Sequence, residues 1–158
     1  MDTLPAVSLM ERVVFLRRVP LFANLAPLEV KQVAAIAGEH VYADEEVLSS
    51  QGEPGDEMYV IVSGEVRVIV KRSDGTTAEA VRRGVGEYVG EMAILTAEPR
   101  IATLIAVGRV RALTIGQKAF ERILRERPET GLAVIRELCA RLKESETRVT
   151  NSAAGVSP

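Results

Sequence analysis

The stretch from residue 39 to residue 115 most constrains the fold, because short apolar runs alternate there with turn signals. One run places Val66, Val68 and Val70 on the same face, and Ser73-Asp74-Gly75 follows as a hairpin turn signal. Successive side chains of a strand point to opposite faces, so this spacing predicts β-strands. Many short strands with regular turns predict a β-sandwich or a jelly-roll barrel.

Helical patterns precede and follow this β-rich region. Residues 8–18 carry apolar side chains at helical spacing, and Pro27 suits the first turn of a second helix. Residues 117–126 and 128–147 return to helical spacing, and the second segment carries an apolar stripe. The stripe consists of Leu132, Ile135, Leu138 and Leu142. The sequence therefore predicts a mainly β fold with N-terminal helices, a short internal helix and two C-terminal helices.

The length of the chain suits one domain. The chain has 158 residues, of which 47% are hydrophobic. This is enough to bury one substantial hydrophobic core but hardly enough for two. We expect residues 1–19 to form an N-terminal helical segment and residues 20–147 to form the folded domain. Residues 148–158 are small and polar, which predicts a disordered tail or a truncated linker.

Charge and composition argue against several classes of function. Lys and Arg total 20 against 22 Asp and Glu, a net charge of -2, whereas nucleic-acid-binding surfaces usually show a basic excess. No apolar run approaches the roughly 20 residues that a membrane-spanning helix needs. The single cysteine, Cys139, cannot form an internal disulfide, so we expect a cytoplasmic location and a small buried thiol.

The segment from residue 89 to residue 103 carries the most informative motif, in which Gly90 and Glu91 precede an apolar run and Arg100. Glycine lets a backbone approach a ligand closely, and a helix start offers unpaired N–H groups to an anion. Arginine can donate to two phosphate oxygens, while glutamate can accept from a sugar hydroxyl. The pattern fits a ribose phosphate pocket. A loop, a helical turn and a solvated arginine are the alternative, because phosphate loops are easily imitated.

Two signatures resemble those of one family. Residues 89–103 resemble the phosphate-binding cassette of the cyclic nucleotide-binding domain, roughly Phe-Gly-Glu-(Leu/Met)-Ala-Leu-Leu, three variable residues and Pro-Arg-(Ala/Ser/Thr)-Ala-Thr. The matching positions are Gly90, Glu91, Met92, Ala93, Ile94, Leu95, Pro99, Arg100, Ala102 and Thr103. Residues 51–66 resemble the second signature, Gly-Glu-x-Gly-Asp-x-(Phe/Tyr)-Tyr-Ile-Ile-x-x-Gly-x-Val. Both stand in the right order, so residues 20–147 are identified as a cyclic nucleotide-binding domain.

The resemblance implies roles for the cassette residues. Arg100 would pair with the exocyclic oxygens of the cyclic phosphate, and Glu91 would accept a hydrogen bond from the ribose 2′-hydroxyl. Met92 and Ala93 would offer backbone N–H groups at the start of a cassette helix, with their side chains facing the barrel. Gly90 would give the backbone room beside the sugar. The apolar residues that follow belong to the core in this interpretation.

Two positions depart from the family pattern. Val89 replaces the usual aromatic residue, which changes packing and removes no polar contact. Ile101 stands where the family carries Ala, Ser or Thr, and its backbone N–H, which binds phosphate in relatives, is retained. A threonine there is associated with a preference for cGMP, so Ile101 favours cAMP over cGMP. The stiff, β-branched side chain also leaves weak or absent binding open.

The function implied by the resemblance is a regulatory sensor that is not an enzyme. Ligand binding would reposition the C-terminal helices, with Leu138, Arg141 and Leu142 as candidates to cap the base. We find no nucleophile–base pair and no metal-ligand spacing, so we expect no catalytic residue, no metal and no cofactor besides the nucleotide ligand.

Alternatives concern the partners of this module. The apolar stripe near the C-terminus either packs on the barrel or forms the seam of a homodimer, as the corresponding helix does in relatives. A degenerate cyclic nucleotide-binding fold could serve only for dimerisation or docking. The chain could also be a fragment of a larger channel, transporter or regulator. No nucleic-acid partner and no membrane insertion are expected for this segment.

Overall fold

The computed structural model describes residues 6–155, with side chains up to residue 147. The flanking residues 1–5 and 156–158, parts of the predicted N-terminal segment and tail, lie outside the described residues. The elements in chain order are α1 (Leu9–Leu16), α2 (Pro27–Ile36), β1 (Gly38–Tyr42), β2 (Val47–Ser49), β3 (Glu57–Lys71), β4 (Thr77–Arg83), β5 (Tyr88–Val89), α3 (Glu91–Thr96), β6 (Thr103–Gly116), α4 (Gln117–Glu126) and α5 (Pro128–Gly155).

Two long antiparallel strands, β3 and β6, form the centre of the sheet. Met58 lies opposite Ile115 near one end, and Val68 lies opposite Leu104 near the other. The register shifts twice between Ile61 and Glu65, so the strand bends without ending. The apolar runs at 58–62 and 66–71 therefore belong to one strand.

The remaining strands extend this pair on both sides. β1 and β2 pair with β6, while β4 and β5 pair with β3, and every pairing is antiparallel. Among the described strands, the hydrogen-bonded path runs from β1 to β4 without closing. The predicted jelly-roll type of fold, mainly β with flanking helices, is confirmed.

The larger core cluster joins the helices to the sheet. Buried side chains of the N-terminal helices and of α4 pack with residues of β3 and β6. Phe22 meets Phe120 edge to face, with ring centroids 6.4 Å apart. A buried hydrogen bond of 3.0 Å from Thr130 Oγ1 to Glu29 Oε2 ties the start of α5 to α2. Four helices from both ends of the chain thus pack as one group against the sheet.

Helix α5 keeps much of its apolar stripe on the surface. Leu138 packs half-buried against the core, together with the buried Val134. The exposed members are Leu132, Ile135 and Leu142, with 48%, 58% and 60% of their surface accessible. Cys139 is exposed as well, so the prediction of a buried thiol is wrong. The helix continues to Gly155, past residue 147, where the sequence predicted its end.

Candidate functional site

The cassette begins with a backbone turn that requires glycine. Gly90 caps α3 in the left-handed region, with φ 82° and ψ 8°, a conformation that costs most side chains energy. A Cβ at this position would also lie 2.6 Å from Nη1 of Arg100. The left-handed turn and the close approach of the Arg100 guanidinium both require a residue without a side chain at this position.

Arg100 is buried, with 6% of its surface exposed, and backbone carbonyls hold its side chain. Nη1 donates to the Gly90 carbonyl at 3.1 Å, and Nη2 donates to the Glu57 carbonyl at 2.7 Å. Its guanidinium carbon lies 5.5 Å from the centroid of the Tyr59 ring. Within the described residues, buried Nε has no hydrogen-bond partner, and no carboxylate pairs with this cation. A buried guanidinium without a counter-charge is costly, which makes this place suited to an anion.

The loop between β2 and β3 forms a second wall of the site. Gly52 N–H donates to the Arg100 carbonyl at 2.8 Å, and Arg100 N–H donates to the Glu53 carbonyl at 2.9 Å. A Cβ on Gly55 would lie 2.3 Å from Nε of Arg100. This loop carries the second sequence signature, from which no role in the site was predicted. The signal that could have indicated one was the pair of glycines between two strands.

Glu91 faces the C-terminal helix. The carboxylate is buried, and its Oε1 accepts a hydrogen bond of 2.9 Å from Nη1 of Arg141. Nη2 of the same arginine donates to the Tyr88 carbonyl at 2.7 Å, and its guanidinium carbon lies 3.5 Å from the centre of the Tyr88 ring. Of the three residues of α5 predicted as candidates to cap the base, Arg141 hydrogen-bonds to Glu91. Leu138 packs half-buried against the core cluster that contains Ile94, and Leu142 is exposed.

Tyr88 connects the cassette to α5 a second time. Its hydroxyl donates to Glu137 Oε1 at 3.1 Å. Burial raises the pKa of Tyr88, a shift that the nearby Arg141 opposes, so the hydroxyl keeps its proton at neutral pH. Arg83 adds an ion pair of 3.6 Å to Glu144. A cavity of about 130 Å³ remains between these side chains. The contact of Tyr88 with α5 was not indicated by the sequence, because an aromatic ring at this position fits a packing role equally well.

The other predicted site residues, Met92, Ala93 and Ile101, differ in the exposure of their side chains. Ala93 is buried against the sheet, but Met92 is exposed, so the expectation that both side chains face the barrel is wrong for Met92. The two occupy successive positions of one helical turn, which cannot point the same way. Ile101, beside Arg100, is 59% exposed.

The described residues contain no group of three His, Cys, Asp or Glu side chains that could hold a metal ion. In the same part of the chain, no helix is both long and apolar enough to cross a membrane.

Comparison with known proteins identifies the fold. A family profile described as the cyclic nucleotide-binding domain matches residues 39–127, more than half of the chain. The chain belongs to the cyclic nucleotide-binding domain family.

A regulatory subunit of cAMP-dependent protein kinase from Blastocladiella emersonii is 36% identical over 110 residues, 70% of this chain and 27% of that protein. The corresponding subunit from Mucor circinelloides f. lusitanicus matches at 36% over 110 residues, 70% of this chain and 26% of its own length. The chain therefore spans about a quarter of these relatives.

Solved structures of this family share the fold. The catabolite activator protein of Thermus thermophilus superposes with a TM-score of 0.75 and 27% identity, covering 85% of this chain and 63% of that one. The N-terminal domain of a transcriptional regulator from Streptomyces coelicolor A3(2) gives a TM-score of 0.69 and 32% identity, over 83% of this chain and 94% of its own.

Proposed function

We propose that this cyclic nucleotide-binding domain is a sensor that binds cAMP in preference to cGMP and has no catalytic activity of its own. The observation that carries this proposal is the environment of Arg100. A buried cation without a carboxylate partner, between two glycine backbones, provides a place for the cyclic phosphate. The proposed binding unit comprises residues 20–147.

The proposed ligand contacts extend from Arg100 along the cassette. Backbone N–H groups of Met92, Ala93 and Ile101 complete the phosphate contacts, and Gly90 leaves space for the sugar. Glu91 accepts a hydrogen bond from the ribose 2′-hydroxyl. Its pairing with Arg141 is compatible with this role, because a carboxylate offers about four acceptor positions and Arg141 contacts only Oε1.

The proposed signal passes through α5. Arg141 reaches the ribose-binding carboxylate from that helix, so a ligand at Glu91 must share or replace this contact. Ligand binding then favours one of two arrangements of α5 by its different affinity for them. Arg141 is therefore our choice for the α5 residue nearest the nucleotide, ahead of Leu138 and Leu142.

The preference for cAMP rests on Ile101, whose side chain lacks the hydroxyl of the threonine that the family resemblance associates with a preference for cGMP. The two relatives at 36% identity are regulatory subunits of cAMP-dependent protein kinase, which also supports cAMP as the ligand.

Thermal unfolding with added nucleotides tests the proposal. We expect cAMP to raise the melting temperature. At the same concentration cGMP should raise it less than cAMP, and 5′-AMP should raise it less than cGMP. At a hundredfold excess over the dissociation constant, a ligand stabilises the folded state by about 2.7 kcal/mol, which is readily measured. An equal shift with cAMP and cGMP would contradict the role of Ile101. No shift with any of them, for protein freed of bound nucleotide, would leave the alternative of a docking module.

We also propose a homodimer through α5, because three large apolar side chains on that helix are exposed. Ile135→Glu should shift the mass measured by light scattering from dimer to monomer, since a charge cannot be buried in the seam. Lys143→Glu, a charge change at an exposed position of the same helix, should not. A monomeric wild-type protein at high concentration, with and without cAMP, would rule out this partner.

A further inference from the structure

We infer that an acidic rim around the proposed phosphate site selects nucleotides by charge: it admits a monoanionic cyclic phosphate and disfavours ligands with two or more negative charges. The rim consists of Glu53 and Asp56 in the loop between β2 and β3, Glu57 at the start of β3, and Glu98 between α3 and Arg100. The inference rests on the proposed function and adds to it the charge of the ligand. A phosphodiester carries one negative charge, whereas a phosphate monoester carries about 1.5 to 2 at pH 7.

The rim lies beside the guanidinium of Arg100. The backbone carbonyl of Glu53 accepts from Arg100 N–H at 2.9 Å, and that of Glu57 accepts from Nη2 at 2.7 Å. The Tyr59 ring, 5.5 Å from the guanidinium carbon, reports the same charges. Burial raises the pKa of Tyr59, Arg100 lowers it, and the carboxylates of Glu57 and Asp56 raise it. The negative charges of the rim therefore act on the place proposed for the phosphate.

The carboxylates of the rim are left unpaired. In the part of the chain whose side chains the structure describes, none of the four makes a hydrogen bond or an ion pair, and none neutralises Arg100. Every Asp, Glu, Lys or Arg position from residue 38 to residue 66 is acidic. Three glutamates elsewhere on the sheet each pair with an arginine: Glu45, Glu65 and Glu79. The rim thus keeps its full negative charge beside a buried cation.

Nearby cations do not balance the rim. Lys71 is tied to the loop through its backbone, by hydrogen bonds with the side chain of Gln51. The charge of Arg141 is matched by its partner Glu91. Arg100 and Lys71 therefore stand against four carboxylates, and the surroundings of the site are net negative. The repulsion from such a field grows with the charge of the ligand, so an additional negative charge on the phosphate weakens binding.

Displacement calorimetry against bound cAMP, at low salt, tests the inference with two competitors. One is 5′-AMP, and the other is its 5′-methyl phosphodiester, which has the same base and sugar but is a monoanion. We expect the wild type to bind the methyl ester more tightly than 5′-AMP. Glu53→Gln/Glu98→Gln should reduce this preference by about threefold, the size of long-range repulsion from two surface charges. The control Glu126→Gln/Glu129→Gln removes two exposed charges near the junction of α4 and α5 and should keep the preference.

Salt distinguishes a long-range field from a direct contact. The Debye length falls from about 30 Å at about 0.01 M salt to about 3 Å at about 1 M, so the difference between Glu53→Gln/Glu98→Gln and the wild type should vanish at high salt. An unchanged preference at low salt, a difference that persists at high salt, or an equal change in the control would overturn the inference and leave the proposed function standing. Failure of the wild type to bind cAMP would instead overturn the proposed function.

Discussion

Arg100→Ala is expected to weaken cAMP binding by about two to four orders of magnitude. Two charge-assisted hydrogen bonds are lost, each contributing about 1.5–3 kcal/mol, and each 1.4 kcal/mol corresponds to about tenfold in affinity. The same change removes the donors to the Gly90 and Glu57 carbonyls, so the folded state should also lose about 1–3 kcal/mol. The sequence had suggested an arginine that serves only the ligand. The hydrogen bonds from Arg100 to the Gly90 and Glu57 carbonyls give this side chain a structural role as well.

Titration calorimetry on the folded protein separates these effects. Arg100→Lys should also bind poorly, because a single ammonium cannot reproduce the planar fork of donors. Arg122→Ala, at a largely exposed site on α4, controls for the loss of one positive charge and should bind like the wild type. Wild-type affinity in the folded fraction of Arg100→Ala would show that the arginine is structural only.

Arg141→Ala is expected to loosen α5 from the cassette. It removes the partner of the buried Glu91, the hydrogen bond to the Tyr88 carbonyl and the contact over the Tyr88 ring. Breaking a largely buried ion pair costs several kcal/mol, and the partial exposure of Arg141 reduces the expected cost to about 2 kcal/mol. Amides of α5 should then exchange hydrogen about thirtyfold faster, since 1.4 kcal/mol corresponds to about tenfold.

Hydrogen exchange followed by mass spectrometry measures this effect along residues 128–147. Arg136→Ala, an exposed position on the same helix, is the control and should leave exchange unchanged. In the wild type, saturating cAMP should change the protection of α5 as well as that of the cassette. Identical exchange of α5 with and without cAMP would mean a binding site without a transmitted signal.

The parts of the fold that local patterns determine were predictable. Alternating valines indicated the strands, and the spacing of Gly90, Glu91 and Arg100 indicated a short helix between a tight turn and an arginine. These features depend on neighbours within one element or one loop. The continuity of β3 was not predictable, because Ser63-Gly64 in its middle is a turn signal in the sequence, whereas in the structure Gly64, with φ 88°, lies at a bend within one strand.

Contacts between distant parts of the chain were beyond local patterns. Gly55 approaches Arg100, and Arg141 reaches Glu91 across 50 positions, only because the sheet and α5 bring them together. The spacing of the α5 stripe indicated an apolar helix face but not its environment, since spacing alone does not distinguish a face buried in the same chain from an exposed one.

Calorimetric titration of the nucleotide-free protein with cAMP tests the central claim most directly. The account predicts saturable binding at one site per chain, weaker binding of cGMP, and loss of the heat signal in Arg100→Lys. Absence of binding at millimolar cAMP by protein that is folded and free of nucleotide would contradict it.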